Sequence, residues 1–588
     1  MGDEMKLRFI RAISLLAALC MLPGCGPKPK PAAETMAPVS TPAPVSAPAP
    51  GTAAPTSAPT AAPAAARRAE TFFSGNEHAD VHFDDMHWEL YDMTQFRTMA
   101  EALAAADTAE EAEKLYNWLL NEYVRLRTYS ELGWIDFYAS GGTDETLSDA
   151  CRQIDKMLTE AGDKLFSAAS KALAGNASEG FSEMLGEDLT QELADYEDMT
   201  DRESELLQRE TELKLQYNEL VDREDISLPS LNQKLGEIFL ELVRVRNELA
   251  EIYGYDTYAQ YAYENTYARD FTPEDAAALC QAIKAYSRPY YRDCYYSNAF
   301  QESITDFSSG ELMDLLREYA PRISPSAAEA QRYMEEHGLY LLESTEIVSE
   351  VGFTTLLPWY NAPFLFDGLY GGSYDVTSVF HEFGHYYDAY INPEPDPLSS
   401  GGSYDVFEIH STALEALSLA WYDEIFGGEA DLARIFTLDN LLNNVVSGCL
   451  YDEFLQYAYA HPDMTVDELN RAYKDIASSY GMEFYSLESR YYWMYVSHNF
   501  ESPFYYISYA ASTLASLQIL SLSERDMPAA VERYNRLVDI GAYDKPYEEV
   551  LREVGLKLFT EDLDGCVKDA FDELEKLCLR YERGELAA

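Results

Sequence analysis

The chain has 588 residues, of which 47% are hydrophobic, 25% charged and 13% aromatic, values that exclude collagen-like, wholly disordered and small disulfide-scaffold classes. Lys and Arg number 43 against 102 Asp and Glu, a formal charge of −59 that repels phosphate backbones and so excludes nucleic-acid binding. The excess acidity reads as a solubilising surface.

At the N-terminus Lys6, Arg8 and Arg11 precede an apolar run from Ile13 to Leu22. That run is too short to span a bilayer comfortably and has the form of a signal peptide. It closes on Leu22-Pro23-Gly24-Cys25, which resembles the lipobox of bacterial lipoproteins. The resemblance implies that residues 1–25 form a lipoprotein signal, that the Cys25 thiol is lipidated, and that the protein is held on the outer side of a bacterial membrane by its acyl anchor alone. Residues 26–68 are rich in Pro, Ala, Thr and Ser, a composition that cannot bury a core and keeps the backbone extended and solvated. This is a tether, and about 40 residues at ~3.1 Å each give it a reach on the order of 120 Å. Six cysteines remain beyond it, Cys151, Cys280, Cys294, Cys449, Cys566 and Cys578; none forms a C-x-x-C pair, and they read as buried thiols.

The cluster His78, His82, Asp84, Asp85 and His87 follows the tether and reads as a polar, partly extended segment in preference to a second metal site. From there the periodicity is helical. "RTMAEALAAADTAEEAEKLYNWLLNEYVRLRTY" carries apolar residues at i, i+3, i+4 and i+7. "DLTQELADYEDMTDRESELLQRETELKLQYNELVDRE" is so polar that it predicts a long exposed helix, and Pro229 separates it from the helix "LNQKLGEIFLELVRVRNELAEIYGY". We divide the body into an N-terminal helical region, 69–240, and a region 241–588 that carries the chemistry. Extended structure is predicted around "NAPFLFDGLYGGSYDV", where aromatic and aliphatic residues meet Gly-rich turns. The fold class is thus all-α, a large helical body with a small β element beside the site. The hexapeptide Gly371–Val376 recurs intact as Gly401–Val406, read as one Gly turn used twice to open a helix.

In "SVFHEFGHYYDAY", His381 and His385 are four apart and share one helix face, as two imidazoles on a single Zn2+ ion require. Glu382 is rotated by about 100° from His381 and can reach a metal-bound water as its base. A catalytic zinc takes a third protein ligand and keeps one open position. Glu408, 23 residues beyond His385 and at the start of another predicted helix, is the leading candidate. Glu415, about two turns further on, could hydrogen-bond a ligand imidazole, and Asp388 is a second candidate for that role. His410, two positions from Glu408, should point away from the metal and is structural.

These segments, with "YGYDTYAQYAYENTYARDFTPED", "FEIHSTALE" and "SHNFESPFYYISYAAS", resemble the thimet oligopeptidase and oligoendopeptidase F family of zinc metallopeptidases from about residue 240 to 530. The resemblance implies a helical body divided by a deep substrate channel with one zinc on its floor, and oligopeptide substrates that thread into it. It carries His381, His385 and Glu408 over as ligands and Glu382 as general base, and it makes 241–588 the catalytic metallopeptidase region. His498 and a Tyr pair match the family's transition-state stabilisers; Tyr506 and Tyr509, three apart, share a face, with Tyr505 as the adjacent register. "APFLF" resembles the strand that pairs with extended substrate backbone. Two other readings stay open: a zinc carboxypeptidase or dipeptidyl carboxypeptidase on a related helical scaffold, and a surface lipoprotein that binds peptides without cleaving them. Intact Glu382 argues against the second.

Overall fold

The computed structural model describes residues 78–586 except 195–199, 222, 224, 295–296, 298, 300–303, 393–401, 483–486 and 544. The signal segment, Cys25 and the Pro-rich tether lie outside the described residues, as does the Pro393/Pro395/Pro397 stretch. Among the described residues no helix is long and apolar enough to cross a membrane.

The histidine-rich segment enters as a strap. The His78 ring stacks on Tyr390 with centroids 4.1 Å apart, and its two nitrogens face the carbonyl oxygens of Asn361 and Tyr390 at 2.5 and 3.0 Å. Phe83 packs on Phe364 and donates its N–H to the His337 carbonyl. This segment thus ties the β element to the helix that carries His381.

Helices α1 (Met93–Ala104), α2 (Ala109–Ala139), α3 (Glu145–Leu173), α4 (Ser178–Leu185) and α5 (Glu187–Ala194) follow. At α2 and α3 a side chain satisfies the first free N–H groups: Thr108 accepts from Glu111, and Asp144 from Thr146 and Leu147. They close a separate small core around Phe96, Leu119, Tyr123, Leu165 and Phe181. Helix α6 (Asp201–Val221) then pairs with α7 (Leu228–Ile252). The polar segment is therefore two helices on either side of 195–199, and α6 is not simply exposed. Leu206, Leu213 and Tyr217 are buried, because a sparse apolar seam repeating every two turns is enough to face one neighbour. Arg202 and Arg209 lie across it, each 2.7 Å from a carboxylate of α7, Glu248 and Glu241. The division expected at residue 240 falls inside α7, whose Leu235, Leu242 and Leu249 belong to the main core.

Helices α8 (Pro273–Asp293), α9 (Ser309–Ile323) and α10 (Pro325–Glu336) lead to a sheet of β1 (Tyr340–Ser344), β2 (Gly352–Leu357) and β3 (Ala362–Leu369) in the order β1-β3-β2. β3 contains "APFLF" and is the central strand, parallel to β1 and antiparallel to β2, with all eight residues buried. The expectation that this strand pairs with substrate is corrected: both its edges are taken, and β2 is the edge strand next to the site.

Helix α11 (Ser373–Ile391) and helix α12 (Tyr404–Ser418) each begin within one copy of the repeated hexapeptide. At the first copy Gly371 and Gly372 have φ of 97° and 73°, left-handed values that glycine adopts without strain. Asp375 turns back to accept from the N–H groups of Tyr370 and Gly371 at 2.8 and 2.9 Å. Helices α13 (Ala430–Ala460), α14 (Val466–Ser479), α15 (Ile507–Ser523), α16 (Met527–Ile540) and α17 (Leu563–Glu582) complete the body, with α12 packed between α11 and α15. Cys151, Cys280, Cys294, Cys449 and Cys578 are buried free thiols, while the side chain of Cys566 is not described.

Candidate metal centre

Glycine at position 384 sets the distance between the two helices that meet here. A Cβ on Gly384 would stand 2.6 Å from both the carbonyl oxygen of His410 and the Cα of Ser411, so the backbones of α11 and α12 touch where a side chain would separate them. This contact brings Glu408 up to the histidine face of α11. Its Oε2 lies 3.8 Å from Nε2 of His381 and 3.8 Å from Nε2 of His385. One ligand atom from each of the three residues falls within 4.8 Å of the other two. Donors about 2.0–2.1 Å from a tetrahedral zinc stand roughly 3.3 Å apart, so the trio fits that ion after a small contraction.

Surrounding groups prepare each donor. Nδ1 of His381 is 3.3 Å from Glu415 Oε2, which fixes that proton and leaves the Nε2 lone pair turned to Glu408. Asn440 donates to the other Glu415 oxygen at 3.4 Å. Burial, then the neighbouring His381 and His410, holds the His385 pKa well below its ordinary value, so its lone pair is free at neutral pH. Burial raises the pKa of Glu408, opposed by His381 and by a 2.6 Å hydrogen bond from the Tyr505 hydroxyl. Two nitrogen donors and one carboxylate, all largely removed from water, are a chemically suitable set for zinc.

Glu382 is 1% exposed, and its carboxylate meets β2. The Thr354 hydroxyl lies 3.1 Å from its Oε2 and 2.9 Å from its carbonyl oxygen. Gly352 leaves the room this requires, since a Cβ there would meet Glu382 Oε1 at 3.3 Å and Asp367 Oδ1 at 2.7 Å. The His498 ring lies 5.2, 5.1 and 6.2 Å from those of Tyr505, Tyr506 and Tyr509. Burial pushes the His498 pKa down to about 4, and neither ring nitrogen has a hydrogen-bond partner among the described residues.

Three solved structures share this architecture: PZ peptidase A with an inhibitor, a candidate oligoendopeptidase F from Bacillus anthracis, and oligoendopeptidase F from Enterococcus faecium. PZ peptidase A is 22% identical at a TM-score of 0.69, over 84% of this chain and 99% of its own. The Bacillus anthracis chain gives 21% and 0.67, over 86% and 100%; the Enterococcus faecium chain gives 12% and 0.55, over 83% and 98%. The chain has the oligoendopeptidase F fold. No protein-family model matches the sequence, and no curated protein does.

Within this oligoendopeptidase F fold, one residue takes a position other than that expected. Asp388 does not reach a ligand imidazole; its Oδ2 is 3.2 Å from Nδ1 of His410 and its Oδ1 accepts from Asn392. His410 leaves α12 on the side away from Glu408, and Asp388 follows it. Tyr505, not Tyr506, is the partner of Glu408. Tyr505 is delivered from the turn before α15, while Tyr506, at the helix start, has helical φ and ψ of −55° and −26° and its ring lies 5.3 Å from that of Tyr509, so the i, i+3 pair does share a face. Tyr506 packs edge-on against Tyr451 and His498. Thr354, Gly352 and Asp367 were missed, because "VGFTTLL" carries no motif and acquires its meaning only from the pairing of β2 with β3.

Proposed function

We propose that the protein is a zinc-dependent oligoendopeptidase that hydrolyses internal bonds of short peptides. The reading is carried by the meeting of His381, His385 and Glu408 with Glu382 held by Thr354 at the β2 side of the same site. Those three residues would hold a zinc ion, which supplies a Lewis acid for the scissile carbonyl and for water. Glu382 accepts the proton of the attacking water and returns it to the leaving amine, with Thr354 steering its Oε2. The negative charge that grows on the carbonyl oxygen is met by the hydroxyl groups of Tyr506 and Tyr509 and by a ring N–H of His498, while the Tyr505 hydroxyl keeps donating to Glu408. A histidine kept neutral by burial, with a pKa of about 4, donates such a bond without carrying charge into the ground state. β2, as an edge strand, offers main-chain groups to an extended peptide.

Lipidation at Cys25 would fix the enzyme to the outer side of a bacterial membrane, with the acidic body standing away from anionic headgroups. Its peptides would then come from the medium or the envelope. Detergent partitioning of the full chain beside Cys25→Ser tests this; equal partitioning refutes the anchor.

The activity is tested by mass spectrometry on a ladder of peptides, free and C-terminally amidated, with the Glu382→Gln variant and a chelator as controls. Internal cuts in short amidated peptides, lost in both controls, are expected. Release of C-terminal units only from free acids would make the enzyme a carboxypeptidase, and intact peptides despite bound zinc would make it a binder.

A further inference from the structure

Arg269 lies in the short connection after Ala262–Thr266, and its side chain is fully buried. Its Cζ stands 4.5 Å from the ring centre of Tyr263, 4.4 Å from that of Tyr267 and 5.5 Å from that of Phe271. A cation so enclosed has lost its water, and its charge must be answered by protein groups in good geometry. Two answer it. Nε donates to the Asp405 carboxylate at 3.1 and 3.3 Å, and Nη2 donates to Ser508 Oγ at 2.9 Å.

These partners belong to the two helices whose relative position makes the site. Asp405 is in the first turn of α12, one turn before the ligand candidate Glu408. Ser508 is in the first turn of α15, next to Tyr509 and three residues beyond Tyr505. The planar, rigid fork of an arginine spans both, which the point charge of a lysine cannot do. The same element reaches the backbone just upstream of Tyr505: the Tyr267 hydroxyl lies 3.1 and 2.9 Å from the carbonyl oxygens of Ser502 and Pro503. Phe504, the next residue, has φ of 70°, a left-handed conformation costly for a bulky side chain and maintained only when its surroundings over-determine it. The outcome is the 2.6 Å hydrogen bond from Tyr505 to Glu408 between the two helices.

We propose that Arg269 is a positioning residue: its guanidinium sets the distance between the start of α12 and the start of α15, and thereby aligns Glu408 with Tyr505 and Tyr509. The kinetic part of this rests on the peptidase reading; the metal-binding part does not.

The test uses the full chain with Arg269→Lys, Ser508→Ala and the double variant. Readouts are kcat and KM on a cleaved peptide, zinc affinity by chelator competition, and thermal unfolding. Ser508→Ala, which breaks only the bond to α15, is expected to lower kcat about tenfold with KM and zinc affinity near those of the wild type and a modest fall in melting temperature from the buried Nη2 left unpaired. Arg269→Lys is expected to lower kcat by at least as much and to weaken zinc binding about tenfold. The double variant should be no slower than Arg269→Lys, because both changes cut one connection. Multiplicative losses in the double variant, or lower melting temperature with unchanged kcat and zinc affinity, would overturn the proposal. If the wild type binds zinc yet cleaves nothing, the peptidase reading fails, and equal zinc affinity in wild type and Arg269→Lys would then refute the brace by itself.

Discussion

Substituting Gly384 by alanine probes the helix contact on which the candidate metal centre is built. The added methyl would lie 2.6 Å from the His410 carbonyl oxygen and from the Ser411 Cα. Both atoms are backbone and cannot rotate away. Ordinary contact begins near 3.4 Å, so α11 and α12 must part by about 0.8 Å or the chain must distort, at a cost of about 1–3 kcal/mol. The same displacement acts directly on the two 3.8 Å separations between the histidines and Glu408. Zinc affinity should accordingly fall by about tenfold or more, the scale on which disturbing a ligand's orientation is felt. The assay is competition for zinc with a chromophoric chelator, beside thermal unfolding of the apo and zinc-loaded protein. Gly310→Ala serves as control, since it lies within helix α9 with nothing near its would-be Cβ; it should leave zinc affinity unchanged and stabilise the helix by up to about 1 kcal/mol. Wild-type zinc affinity in Gly384→Ala, with the expected loss of stability, would refute the argument that helix spacing governs the ligand set.

Glu415→Gln removes the negative acceptor for the His381 Nδ1 proton and should weaken zinc binding by about 10- to 100-fold without unfolding, measured by the same competition. Tyr505→Phe loses the hydrogen bond to Glu408 and should weaken zinc binding about tenfold, whereas Tyr506→Phe leaves that bond in place and should lower kcat by about tenfold or more with zinc affinity unchanged; the reverse pattern would exchange the two roles. His498 has a folded pKa of about 4, below the ordinary histidine value of about 6.5. Between these values the unfolded chain binds a proton that the native state does not, so this residue's contribution to stability is complete above about pH 6.5 and is lost as pH falls towards 4. Denaturant titrations from pH 7 to 4 should show a shallower fall for His498→Gln than for the wild type; parallel curves would show that His498 is not held neutral.

The meeting of His381, His385 and Glu408 was legible because most of its information is local. Four-residue spacing in HEFGH needs only a helix, and the second helix was marked by its own Gly turn and apolar period. The side chains that complete the site were less legible, because their meaning lies in tertiary arrangement. "APFLF" has the composition of a strand that could pair with a peptide, but which strand keeps an open edge depends on β1 and β2, which carry no signal comparable to HEFGH. Tyr505 differs from Tyr506 through the left-handed turn at Phe504, and no residue type there announces it. Asp388 had the spacing of a ligand's partner, but the crossing of α11 over α12 turns it onto His410 and leaves that role to Glu415. The polarity of the segment that became α6 concealed a three-residue seam that only its partner helix makes visible.

The two halves of the site differ in how much chain separates them. His381 and Glu415 are 34 residues apart and lie on consecutive helices, while the Tyr505–Glu408 bond closes 97 residues. Loop closure is the less costly for the shorter span, and contacts between sequence neighbours form ahead of distant ones. During refolding, the ability to capture zinc should accordingly return before the ability to cut a peptide, and the interval between them measures how long α15 takes to dock.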